Sequence, residues 1–271
     1  MTDFLLYLQT FSTPVLDNIF LGISALTGEF VYLAVLGIVY WCIDKNRAYY
    51  IGIFLLLSFS LNSLLKNLFH IPRPFTYSEV RQIDSDTGYG YSFPSGHAQM
   101  STTFGGMFSL IFRKKWLYIV GTLLIVLTGL SRMYLGVHTP VDILCGIAIG
   151  CVLVLAGKYL QKLNPKILAV ATFIFMLGVS IIYPEKDILK LLFFAAGFFS
   201  GNAIEEKFIG FTVPSKIKMR ILGAVIGFST TILLIIVLKS LGLTYIRYLC
   251  MGLFITVAVP AMIKWTEKKW M

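Results

Sequence analysis

Residues 48–70 read AYYIGIFLLLSFSLNSLLKNLFH, and this stretch decides the fold. No charged residue occurs from Ala48 to Leu65, and most side chains in that interval are aliphatic or aromatic. The hydrocarbon core of a bilayer is about 30 Å thick and is crossed by a helix of about 20 apolar residues. The stretch therefore predicts a transmembrane helix that ends near Lys66.

The whole chain shares this composition. It has 271 residues, of which 57% are hydrophobic and 13% are charged, and its mean hydropathy is +0.82. Soluble domains are about one quarter charged, so these values exclude a soluble globule, a disordered chain and a disulfide-stapled secreted module. Because only helices satisfy their backbone polar groups in lipid at this segment length, we expect an all-α, polytopic transmembrane helical bundle.

Nine apolar runs of suitable length lie along the chain. They cover 17–43, 48–70, 97–112, 115–135, 139–161, 166–183, 187–204, 217–239 and 244–264. Thr27-Gly28-Glu29 predicts a kink in the first run, because glycine is a weak helix former and Glu29 needs water or a partner. The near-helical apolar spacing over residues 4–15 predicts an interfacial amphipathic helix within residues 1–16.

The net charge of +10 predicts membrane orientation rather than nucleic-acid binding. Most Lys and Arg residues lie in the short connections, and with nine spans one side holds 15 of them and the other 8. The positive-inside rule then places the N-terminus and the long 71–96 connection outside the cytoplasm. The four cysteines lie in apolar runs without metal-type spacing, so we expect reduced packing residues and no metal site.

Three polar segments are expected to meet on that outer side. Residues 66–74 read KNLFHIPRP, residues 94–97 read PSGH, and residues 131–142 read SRMYLGVHTPVD. Charged residues at membrane depth are costly and mark functional sites by default. The candidate phosphate-binding residues in these segments are Lys66, Arg73, Ser95, Gly96 and Arg132.

The residue types in these segments suit a reaction at phosphorus. Lysine and arginine bind a phosphate dianion, and Ser95 is expected to cap a helix whose N-terminal N–H groups also bind anions. His138 and Asp142 are four residues apart and would share one face of a helix, so the carboxylate could fix the imidazole tautomer for nucleophilic attack. His97 could then protonate the leaving oxygen as a general acid.

This pattern resembles the signature of the type 2 phosphatidic acid phosphatase superfamily, the membrane relatives of the vanadium haloperoxidases. That signature has Lys, six intervening residues and Arg-Pro, then Pro-Ser-Gly-His, then Ser-Arg with His and Asp at fixed spacing, and every part is present. The resemblance implies His138 as nucleophile, Asp142 as its orienting partner and His97 as general acid. It also implies that no metal and no cofactor take part.

The resemblance further implies a six-span phosphatase core, covering about residues 17–183, with additional transmembrane helices in 184–271. The segment GEFVY at 28–32, followed by YWC at 40–42, is more weakly similar to the sphingosine-1-phosphate phosphatase branch. We therefore expect a multi-pass phosphatase that hydrolyses a lipid phosphate monoester or pyrophosphate through a phosphohistidine at the extracytoplasmic face. The candidate lipids are phosphatidate, phosphatidylglycerol phosphate, a sphingoid-base phosphate and a polyprenyl pyrophosphate.

Alternative functions share the same residues. Glucose-6-phosphatase resembles the chain in span count and motifs, so a soluble sugar phosphate is a second substrate class. A transporter or scaffold that binds a phosphate lipid without chemistry is a third possibility, and a lipid phosphotransferase a fourth. The Lys- and Ile-rich composition and short loops favour a bacterial plasma membrane; membrane lipids are the expected partners, nucleic acid is not, and the oligomeric state is left open.

Overall fold

The protein, described here from a computed structural model covering residues 2–270, is built of α-helices, and those residues contain no β-strand. The described residues do not include Met1 and Met271, which are the outermost residues of the predicted terminal segments. They also do not include the side chain of Lys269, which was counted above for orientation. The helices of the described residues are α1 Thr2–Gln9, α2 Pro14–Leu26, α3 Glu29–Cys42, α4 Lys45–Phe69, α5 Gly96–Phe112, α6 Lys115–Tyr134, α7 Pro140–Leu160, α8 Pro165–Ile182, α9 Lys186–Ile204, α10 Ile217–Ser240, α11 Thr244–Leu253 and α12 Val259–Trp270.

The described residues confirm a polytopic helical membrane protein. Seven helices are long and apolar enough to cross a bilayer, and the bent pair α2–α3 makes up to eight. Nine spans were predicted, and the difference is α5, which has only 17 residues. Several polar side chains of α5, including Gln99, Ser101, Thr102 and Thr103, are buried inside the protein.

The predicted kink in the first apolar run is confirmed. α2 and α3 meet at 46°, and the break falls at Thr27 and Gly28. Thr27 is the C-terminal cap of α2, and its hydroxyl donates to the carbonyl oxygens of Ile23 at 3.2 Å and Ser24 at 3.1 Å. The amphipathic N-terminal helix is shorter than the predicted 4–15 because Pro14, capped by Thr13, starts a new helix.

The chain divides into two compact units. The first contains residues 2–32 and 57–163, and the second contains residues 33–56 and 164–270. The domain boundaries predicted after residues 16 and 183 remain a prediction.

In the first unit, α5 packs closely against α6 and α7 through glycines. A Cβ atom at Gly105 would lie 3.0 Å from Cα of Gly121, and one at Gly146 would lie 2.6 Å from the carbonyl oxygen of Ser95. The Ser95 N–H donates to the carbonyl of Asp142 at 3.0 Å. This packing therefore brings the start of α5 against the start of α7.

The second unit contains its own buried charge. Glu205 is fully buried and opens a π-helical segment, Glu205–Ile209. Lys45 Nζ donates to both carboxylate oxygens, at 2.9 and 2.8 Å, and the Phe211 N–H donates to Oε1. Both oxygens of this carboxylate therefore have partners inside the unit.

Candidate active site

The predicted site residues lie at four helix ends of the first unit. Lys66 is in the last turn of α4 and Arg132 in the last turn of α6. Ser95 caps the start of α5, and Asp142 is in the first turn of α7. The long connection between α4 and α5 adds further groups to the cluster.

The guanidinium of Arg132 is completely buried, with 0% exposure. Its Nη1 donates to Asp84 Oδ2 at 2.8 Å and to Ser24 Oγ at 2.6 Å. Its Nε and Nη2 are also buried, and neither has a hydrogen-bond partner within residues 2–270. These two atoms form one edge of the planar fork, the edge that can bind two oxygens of one phosphate.

Asp84, in the long connection, is the anionic partner of Arg132. The Thr87 hydroxyl donates to its Oδ2 at 2.6 Å, the Thr87 N–H to Oδ1 at 3.0 Å, and the Ser24 hydroxyl to Oδ2 at 3.1 Å. Burial raises the pKa of Asp84, but the bonds from Thr87 and the charge of Arg132 outweigh it and lower the pKa to about 2. Asp84 is therefore a carboxylate throughout the neutral range.

Arg73 is held beside His138 by loop carbonyls. Its Nη2 donates to the carbonyl of Tyr89 at 2.7 Å, and its Nε lies 3.2 Å from the carbonyls of Tyr89 and Gly90. Its Nη1 donates to the carbonyl of Val137 at 2.9 Å and lies 3.4 Å from Nε2 of His138. A guanidinium group is thus fixed next to Nε2 of the imidazole.

The turn before His138 depends on Gly136. This glycine has φ +76°, in the left-handed region that favours glycine. A Cβ atom there would lie 2.2 Å from the carbonyl oxygen of Arg81. The turn therefore has no room for a side chain.

The expectation that His138 and Asp142 share a helix face is wrong. Thr139 and Asp142 form a capping box that starts α7 at Pro140, so His138 lies in the preceding loop. The two side chains still approach, with Nδ1 of His138 3.6 Å from Oδ2 of Asp142.

The hydroxyl of Ser92 lies between these two side chains. It donates to Asp142 Oδ2 at 2.5 Å and is 3.4 Å from Nδ1 of His138. The backbone N–H of Thr139 donates to the same carboxylate oxygen at 2.7 Å. Asp142 therefore orders the helix start and the Nδ1 side of the imidazole together.

The predicted positive groups act on His138 together. Burial, followed by the charges of Arg73, Lys66, Arg132 and His97, lowers the pKa of His138 well below its usual value. His138 is therefore neutral at pH 7, the state in which a ring nitrogen is nucleophilic.

Lys66 and His97 complete the cluster. Lys66 Nζ donates to the carbonyl oxygen of Tyr91 in the long connection. His97 follows Gly96 at the start of α5 and lies within electrostatic range of Arg132 and Lys66.

Ser95 is the N-cap of α5, as predicted, and its Oγ accepts from the Ala98 N–H at 3.5 Å. A Cβ atom on Gly96 would lie 3.0 Å from Oδ1 of Asn62. Asn62 itself donates to the carbonyl of Pro94 at 3.3 Å and to Gln99 Oε1 at 2.9 Å.

Sequence reasoning missed Asp84, Ser24 and Ser92. None belongs to a motif, and their partners lie 48 to 108 residues away along the chain. The one available signal was the unusual length of the 71–96 connection, which indicates function without naming a residue.

Fold and site together define a polytopic helical membrane protein with a cluster of positively charged side chains at one end of its first unit. Its residues 47–166 match the model of the PAP2 superfamily, and residues 189–268 match the PAP2 superfamily phosphatase, transmembrane extension. The chain therefore contains a PAP2 superfamily domain followed by a PAP2 transmembrane extension.

Individual relatives agree with this assignment. The undecaprenyl-diphosphatase of Sulfolobus acidocaldarius is 29% identical over 154 residues, which cover 55% of this chain and 73% of that protein. Sphingosine-1-phosphate phosphatase 2 of Mus musculus is 31% identical over 137 residues, covering 48% of this chain but only 38% of the mouse protein. The crystal structure of Aquifex aeolicus LpxE matches with a TM-score of 0.52 and 25% identity, over 58% of this chain and 93% of LpxE.

Proposed function

We propose that the chain is a metal-independent membrane phosphatase that hydrolyses a lipid phosphate monoester or diphosphate through a phosphohistidine intermediate. The observation that carries this proposal is the buried Arg132 guanidinium, whose Nε and Nη2 have no partner among residues 2–270. A buried donor without a partner costs about 1–3 kcal/mol, which a bound phosphate would recover.

In the first step, Nε2 of His138 attacks phosphorus. The lowered pKa keeps the ring neutral, and the carboxylate of Asp142 with the Ser92 hydroxyl on the Nδ1 side favours the tautomer that carries its proton there. A P–N bond forms while the P–O bond to the lipid breaks. Arg73 and Arg132 stabilise the charge that develops on the phosphoryl oxygens.

His97 moves the protons in this scheme. It donates a proton to the leaving lipid oxygen, and it then accepts a proton from the water that attacks the phosphohistidine. That second step breaks the P–N bond, releases inorganic phosphate and restores His138. With a diphosphate substrate, the leaving group is the lipid monophosphate.

The proposed metal independence follows from the protein's own positive charge. Lys66, Arg73 and Arg132 supply three cations at one site, which is the charge stabilisation that a metal ion provides in other phosphatases. Among the described residues, no group of three or more His, Cys, Asp or Glu side chains could hold a metal ion.

A lipid substrate fits the position of the cluster at the ends of membrane-spanning helices, where a lipid can present its phosphate from the bilayer. The uneven distribution of Lys and Arg supports the extracytoplasmic side of a bacterial plasma membrane for this end. The names of two relatives support undecaprenyl diphosphate and sphingosine 1-phosphate as the first substrates to test.

The test is phosphate release from a panel of substrates by the full chain, purified in detergent. The panel contains polyprenyl diphosphate, sphingosine 1-phosphate, phosphatidate, phosphatidylglycerol phosphate and glucose 6-phosphate, with and without EDTA. We expect release from at least one lipid in the presence of EDTA, and an acid-labile phosphate trapped on the protein but not on the His138→Ala variant. Activity on glucose 6-phosphate alone would reject the lipid substrate, and binding without any release would favour a scaffold.

A further inference from the structure

Asp84 lies outside all three motif segments, yet it is bound directly to the most buried cation of the site. Its Oδ2 accepts from Arg132 Nη1 at 2.8 Å, and the pair is almost fully enclosed, with side-chain exposures of 5% and 0%. Asp84 lies in the long connection between α4 and α5, whereas Arg132 lies in the last turn of α6. The contact is therefore formed by tertiary structure and not by local sequence.

Three further hydrogen bonds fix the Asp84 carboxylate itself. Thr87 donates from both its hydroxyl and its N–H, and Ser24 on α2 donates its hydroxyl. The same Ser24 oxygen accepts from Arg132 Nη1. Asp84 and Ser24 therefore hold one terminal nitrogen of the guanidinium from two directions.

Holding Nη1 in this way fixes the orientation of the opposite edge of the guanidinium. With Nη1 held, rotation of the planar fork is blocked, and the edge formed by Nε and Nη2 keeps one direction. That edge has no partner within the described part of the chain. A pair formed for stability alone would leave no buried donor unused, as at Lys45 and Glu205.

We propose that Asp84 is a positioning residue for phosphoryl transfer, which fixes the Arg132 guanidinium so that its Nε–Nη2 edge faces the transferred phosphoryl group. This inference rests on the proposed function. Because Asp84 touches Arg132 and not the phosphate, it acts on the rate of the chemical step more than on substrate binding. Its ionised state, with a pKa of about 2, keeps the contact intact at every working pH.

The first experiment compares Asp84→Asn with Asp86→Asn, an exposed carboxylate of the same connection. We expect Asp84→Asn to lower kcat by about 10- to 100-fold, because a small displacement of a catalytic group has effects of this order. The KM for the best lipid of the panel should change less than threefold, and Asp86→Asn should match the wild type. A kcat of Asp84→Asn within twofold of the wild type would overturn the proposal.

The second experiment separates positioning from a purely structural role by placing Asp84→Asn in an Arg132→Ala background. In that background the guanidinium that Asp84 would position is absent, so we expect Asp84→Asn to cause less than a threefold further loss of kcat. If Asp84→Asn lowers kcat by the same factor in both backgrounds, its effect does not pass through Arg132, and the proposal is wrong.

If Asp84→Asn does not fold, Ser24→Ala and Thr87→Val replace it. Ser24→Ala removes the hydroxyl that bonds both Asp84 and Arg132, and Thr87→Val removes the hydroxyl that bonds Asp84. Each should lower kcat about 3- to 10-fold in the wild-type background and have no further effect beside Arg132→Ala. Additive losses in both backgrounds would overturn the proposal. A wild-type protein without phosphatase activity would instead refute the proposed function, so the two failures are distinguishable.

Discussion

Each of the two units contains an ion pair with a fully buried member, Glu205 paired with Lys45 and Arg132 paired with Asp84, and the pairs differ in the hydrogen-bonding capacity that they leave unused. In the second unit, Glu205 has both carboxylate oxygens bonded, to Lys45 and to the Phe211 N–H. In the first unit, Arg132 is equally buried but uses only Nη1, toward Asp84 and Ser24. Burial and pairing of a charge therefore do not distinguish the two pairs; the buried Nε–Nη2 edge of Arg132, which has no partner within residues 2–270, does.

The largest expected difference between the two units is in catalysis, and it is tested by removing the proposed nucleophile of the first unit. His138→Ala should lower kcat by at least about a thousandfold, as expected when a covalent catalyst loses its attacking group. Phosphate release measured in detergent checks this, with thermal unfolding as the control for folding. Wild-type rates from this variant would end the assignment of His138.

Arg132 is expected to give the next largest effect. Arg132→Ala removes the unpartnered Nε–Nη2 edge and should lower kcat/KM by about a hundredfold or more. The matched control is Arg81→Ala, because Arg81 is also an arginine of this unit but is exposed and paired with Asp17. A loss of only twofold at Arg132, or an equal loss at Arg81, would contradict the role of the open edge.

The pH dependence of the reaction tests the electrostatics of the same cluster. In the proposed mechanism His138 attacks only when neutral, and its pKa is lowered, so the acidic limb of the kcat/KM profile, where His138 becomes protonated, should lie below pH 6.5. Lys66→Met removes one of the charges that lower this pKa. The acidic limb of the profile should therefore move to higher pH in the variant, and a limb that stays in place would show that Lys66 does not act on His138.

The smallest effect on catalysis is expected from the second unit. Glu205→Gln breaks a buried, fully bonded ion pair and should lower the free energy of unfolding by about 3 kcal/mol. The kcat of the folded protein should stay within twofold of the wild type, as measured by phosphate release after removal of aggregates. A large loss of kcat at unchanged stability would contradict the interpretation that the pair in the second unit serves stability and the pair in the first unit serves catalysis.

Much of the fold could be predicted because it depends on local composition. Apolar runs such as 48–70 and 217–239 correspond to α4 and α10, and the Thr27-Gly28 break was predictable because glycine weakens a helix locally. The predicted span 97–112 corresponds to α5, whose 17 residues fall just short of the 18 residues of the shortest helix that is long and apolar enough to cross a bilayer. Its buried Gln99 and Thr103 serve packing inside the unit.

The site could be predicted only where its residues lie in short sequence motifs. Lys66, Arg73, Ser95, Arg132 and His138 lie in such segments, and the structure brings them to one end of the first unit. Asp84 could not be found, because nothing in sequence separates it from Asp86, two residues away. Which of these two carboxylates meets Arg132 depends on how the long connection folds back over the helix ends.

The turn at Gly136 bears on how distant homologues should be judged. A homologue can retain both histidines and all three cations and still carry a side chain at the position of Gly136. Such a chain would collide with the backbone of the Arg81 segment and displace the histidine two residues later. Position 136 thus offers a simple criterion for separating working enzymes from pseudoenzymes when genomes are surveyed.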